Sequence, residues 1–168
     1  MPLKASAFCL LAAVASIAMP LRAIAQIPPL IAAPGQAVIL KVHAVGAQIY
    51  ECKADSSGKL AWQFREPIAT LLADGKTIGR HYAGPTWAFG DDSTVVGKVA
   101  ASAPGATATD IAWLRLDVVS HRGSAPVSGA TTVQRIDTAG GALSGACEKS
   151  GAFASVPYTA DYVFLRPN

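Results

Sequence analysis

From residue 37 to residue 168 the apolar positions never settle into a helical period. They alternate, in short runs that each stop at a turn. A chain patterned this way buries one face of each segment, and it does so as strands. Val38, Leu40 and Val42 alternate with Ile39, Lys41 and His43, and Gly46 separates this run from a second, AQIYECK. In LAWQFRE, Trp62 and Phe64 oppose Gln63 and Arg65; Pro67 follows, lacks the N–H a ladder needs, and reads as the end of that strand. Asp74-Gly75 is the two-residue turn that suits the twist of a hairpin. Leu114, Leu116 and Val118 share one face of a later run, and Tyr158, Tyr162 and Phe164 share one face of the last. Turns recur every ~8–12 residues, which predicts an all-β fold, an antiparallel β-sandwich or barrel of about 8–10 short strands. At most a short helix is expected near Cys147, in a Gly/Ala-rich stretch.

The first 25 residues do not fit that pattern. Residues 1–4 are basic through Lys4, residues 5–19 are small and apolar, and Pro20 and Arg22 end the run. Ala23-Ile24-Ala25 has the small-x-small form that signal peptidase reads, which places cleavage between Ala25 and Gln26. A membrane anchor needs about 20 apolar residues and this run has about 15, so the segment is read as a cleavable signal peptide. No later stretch is long and apolar enough to span a bilayer as a helix, so no membrane span is expected in the mature chain. The expected organisation is a leader over residues 1–25, an extended Pro- and Ala-rich lead-in over residues 26–36 with no packing of its own, and one β-rich domain over residues 37–168. The protein is expected to be exported, to the periplasm or beyond the cell.

Losing the leader changes the balance of charge and thiols. Lys4 and Arg22 leave with it, so 12 bases face 11 acids and the net charge falls from +3 to +1. The bases are scattered, without the cluster a nucleic-acid groove requires, and no nucleic-acid partner is expected. Cys9 also leaves, and Cys52 and Cys147 remain. In an oxidising compartment they have one possible pairing, whose loop of about 95 residues corresponds to roughly 4–5 kcal/mol in the chain-entropy picture. No metal is expected: the cysteines form no CxxC, and His43, His81 and His121 have no partner at ligand spacing. No glycine-rich nucleotide fingerprint and no nucleophile elbow is present, and no cofactor is expected.

The densest group of unusual residues is GRHYAGPTW, residues 79–87. His81 supplies an imidazole, Tyr82 and Trp87 supply aromatic faces, and Gly84-Pro85 fixes a corner between them. Asp91 in the next turn and Asp161 on the last strand are the carboxylates expected to join them, and these five residues are the candidate ligand-binding set. The leading expectation is a non-enzymatic binding domain for a small molecule, a glycan or an envelope partner. The alternatives are a hydrolase or lyase pairing His81 with Asp91, Asp92 or Asp161, and a structural surface protein with no ligand site. The plain reading of the same segment is a tight turn over packed aromatics.

The chain also carries, in order, GAQIYEC, W-x-F, DGKTIGRHYAGPTW, VVGKV, AWLRL, VQRIDTAGG and VPYTADYVF. Over residues 36–165 this series resembles the exported domain-of-unknown-function 3455 family of bacteria and fungi. The resemblance implies a signal peptide followed by one compact domain. It implies no activity and no catalytic residue. Some fungal relatives are labelled malate dehydrogenase, which the missing nucleotide fingerprint and the short chain do not support.

Overall fold

The computed structural model describes residues 26–90, 92–124 and 127–168. The leader with its Ala25 cleavage position, and the candidate Asp91, lie outside the described residues. Eight strands form one closed antiparallel barrel in simple chain order. They are β1 (Gln36–Ala54), β2 (Leu60–Ala73), β3 (Lys76–Tyr82), β4 (Thr86–Phe89), β5 (Thr94–Ala103), β6 (Trp113–Arg122), β7 (Thr132–Gly140) and β8 (Phe153–Pro167). The last strand returns to the first, so β1 is bonded to β2 on one side and to β8 on the other.

Three expectations change. Gly46 does not divide two strands; β1 runs through it, because β1 and β2 approach so closely there that a Cβ would lie 2.0 Å from the Ile68 carbonyl oxygen. Pro67 does not end β2 either. It sits across from Gln48, beside a register shift between Ile49 and Tyr50, and a bulge is a place where a sheet tolerates a residue with no N–H. The lead-in is packed. Residues 29–31 form a 3₁₀ turn, Ile31 is fully buried against Trp113, Ile136, Val163 and Leu165 outside the wall, and Gln134 Nε2 donates to the Ile31 carbonyl at 2.7 Å. This turn is the one helical element among the described residues; the stretch around Cys147 is turn and bend. The hairpin at Asp74-Gly75 forms as expected, with both residues at positive φ (48° and 73°), as a type I′ turn requires.

The interior has two halves. One is filled by Val42, Leu71, Val95, Val127, Val133 and Phe164. Trp87, with no exposed surface, roofs this core and meets Phe164 and Tyr162 edge to face at 5.7 and 5.2 Å. The outer wall carries Lys41, His43, Lys53, Lys98, Asp117 and Arg122 on exposed positions.

Candidate functional site

Beyond Trp87 the barrel is hollow. A cavity of about 450 Å³ opens toward the end bounded by the β3–β4 turn, the loop of residues 104–112 and the loop of residues 141–152. Its wall is mostly apolar, with Tyr50, Pro67, Trp87, Ile111, Leu114 and Leu143 among the lining residues. Polar groups enter it from separate strands: Gln48 from β1, His81 from β3, Arg135 from β7 and Tyr162 from β8. Gln48, Arg135 and Tyr162 are in phase with the apolar stripes of their own strands. Gln48 continues Val42 and Ala44, and Arg135 follows Val133.

His81 is 3% exposed and stacks on Trp87 at 4.7 Å. Its Nδ1 lies 2.9 Å from the Thr86 carbonyl oxygen. A carbonyl only accepts, so Nδ1 carries the proton and Nε2 is left as an acceptor on a residue that lines the cavity. Burial is the main force that lowers the imidazole pKa to about 4; the Thr86 bond opposes it, and the Arg135 charge adds to it. The ring is therefore neutral at physiological pH. Gln48 is 2% exposed, and its Nε2 finds no acceptor among the described residues; neither does Trp87 Nε1. Tyr158 and Tyr162 meet hydroxyl to hydroxyl at 3.5 Å, and burial raises the pKa of both.

The mouth is held rather than loose. Tyr50 donates to the Gly141 carbonyl at 2.7 Å and accepts from Leu143 N at 3.3 Å. Asp110 accepts from Gly140 N at 2.6 Å and from Thr107 N and Oγ1 at 2.9 and 2.7 Å, tying the two long loops together. The Cys52–Cys147 disulfide, with Cα atoms 5.9 Å apart, fastens the loop that carries Leu143 to the end of β1.

A family model described as "Protein of unknown function (DUF3455)" matches residues 33–166. The chain belongs to that family. No curated protein and no solved structure matches it. The antiparallel barrel of this DUF3455 domain is not the doubly wound parallel sheet of a dinucleotide-dependent dehydrogenase.

The sequence candidates separate in this DUF3455 domain. His81 and Trp87 line the cavity. Tyr82 is out of phase with His81 and lines a separate groove, with the Arg80 guanidinium 5.3 Å from its ring centre. Asp161 also faces outward, held by Lys41 Nζ at 2.9 Å and His43 Nδ1 at 2.8 Å. Asp92 is exposed at a positive φ of 64°. Neither Asp92 nor Asp161 bonds to His81, whose Nδ1 is committed to a backbone carbonyl. Among the described residues no group of three or more His, Cys, Asp or Glu side chains is gathered to hold a metal. Gln48, Tyr50 and Arg135 were missing from the sequence candidates. The one signal for Gln48 and Arg135 is a polar residue in phase with an apolar stripe.

Proposed function

We propose that this is an exported binding domain that holds one small, largely apolar molecule in the hollow half of the barrel. The observation that carries the reading is a mostly apolar cavity of about 450 Å³ into which separate strands bring the polar side chains of His81 and Arg135. A structural surface protein gains nothing from polar groups set in an apolar hollow, whereas a ligand site uses such groups to orient its guest. The tethered mouth supports a largely pre-formed pocket. The Cys52–Cys147 bridge is compatible with export.

The test is titration with N-phenyl-1-naphthylamine, a neutral apolar fluorophore, following its emission and the quenching of tryptophan. Saturable binding at one site is expected in the wild type. Val99→Trp, which places an indole at a lining position that is half exposed, is expected to abolish binding without lowering the melting temperature appreciably. Absence of saturable binding, or unchanged binding in a folded Val99→Trp protein, contradicts the reading.

A further inference from the structure

Arg135 is the least expected residue in this cavity. It stands in phase with Val133, between the inward-facing Leu114 of β6 and Tyr162 of β8. Its Nε–H donates to the Ala112 carbonyl at 3.0 Å, which fixes the guanidinium. A guanidinium has five N–H donors, and it cannot shed its charge as a buried lysine can.

None of the ion pairs among the described residues includes Arg135. Asp110 is the only acid among the lining residues, and its two oxygens are already taken by Gly140 N and by Thr107. The other lining cation, Arg65, sits at the rim, 3.2 Å from Glu66 and 4.9 Å from the centre of the Phe153 ring. The hollow half therefore holds a fixed positive charge with no ion-pair partner among the described residues. That charge is felt across the cavity. It opposes the raised pKa of Tyr50, Tyr158 and Tyr162 and contributes to the lowered pKa of His81.

Resting on the reading of the cavity as a binding site, we propose that its ligand is a hydrophobic monocarboxylate whose carboxylate pairs with Arg135 and whose apolar body lies against Trp87, Tyr50 and Leu114. A planar carboxylate matches the guanidinium fork, and a guest with one charged end satisfies a wall that is otherwise apolar. The chemistry is shared by a medium-chain fatty acid and by an aryl-substituted short acid, and the walls accept either.

The experiment displaces N-phenyl-1-naphthylamine from the full mature protein with decanoate, decanamide, 3-phenylpropionate and 3-phenylpropionamide at neutral pH. Each acid is nearly isosteric with its amide. At least one acid is expected to displace the probe about tenfold or more better than its amide, the effect of a charge-assisted pair. The better acid of the two identifies the body of the ligand. In Arg135→Gln the acid and its amide are expected to become equal while the probe still binds. Should that variant fail to fold, ¹³C-carboxyl-labelled acid bound to the wild type supplies the second readout: its carboxyl titrates at lower pH than in free solution. Acids and amides displacing the probe equally, or neither displacing it, overturns the carboxylate assignment and leaves cavity binding intact. Failure of the probe and of both acids overturns the two readings together.

Discussion

The two halves of the barrel are built on the same strands and reach opposite ends. In the filled half the inward positions are Val42, Leu71, Val133 and Phe164; in the hollow half the same stripes continue as Gln48, Pro67, Arg135 and Tyr162. Four strands change character along their length, with Trp87 between the halves. A core needs only volume and apolarity from its residues. A pocket also needs specific atoms at specific heights. The difference teaches that one wall can divide labour along its length, with stability assigned to one end and recognition to the other.

The largest effect is expected in the filled half. Phe164→Ala should cost about 3–5 kcal/mol, read by urea denaturation, because a fully buried ring leaves a void that its neighbours only partly close. A loss of less than about 1 kcal/mol would mean that this half is not the stability core. Acid should act next, through the hollow half. The folded pKa of His81 lies near 4, below its ordinary 6.5, so the unfolded chain takes up a proton before the folded one does. Stability is therefore complete above pH 6.5 and falls as pH drops toward 4, by about 3 kcal/mol. His81→Gln should flatten that limb of a stability–pH profile; an unchanged limb would remove His81 as its source. The Asp161 carboxyl, although desolvation opposes it, is held below its ordinary value by His43 and Lys41, and its loss of stability belongs to a lower pH window.

Gln48→Leu is expected to change stability the other way, raising it by about 1 kcal/mol as an unpaired buried amide is replaced by hydrocarbon, while weakening binding in the cavity. A destabilised Gln48→Leu protein would show that the amide serves packing rather than recognition. The smallest effect is expected outside the wall. Asp161→Asn breaks contacts to Lys41 and His43, side chains about half exposed, and should cost less than about 1 kcal/mol with binding untouched.

How far the sequence reaches follows the same division. The hairpin at Asp74-Gly75, the inward faces of β6 and β8 and the single cysteine pairing are local or nearly forced, and each is legible from residue order. Closure of the sheet is not, because alternation suits a sandwich and a barrel equally. Gly46 and Pro67 mislead because the signals that usually break strands here mark a close crossing and a bulge inside long ones. His81 and Trp87 stand out because they are neighbours in a dense segment. Gln48 and Arg135 are far apart in the chain, and only closure of the barrel brings them to one cavity. Asp161 reads in sequence as a partner for His81 and faces the other way, since a strand turns alternate residues to opposite sides.

The seam between β1 and β8 sets an order of events. β1 is the first strand to be made, and one of its two neighbours is the last. Until Phe153–Pro167 has emerged, β1 presents a long unpaired edge, and nothing encloses the hydrophobic interior. The sheet cannot close before that strand is made, however quickly the intervening hairpins form. A chain of this design stays open and adhesive until its last strand is in place.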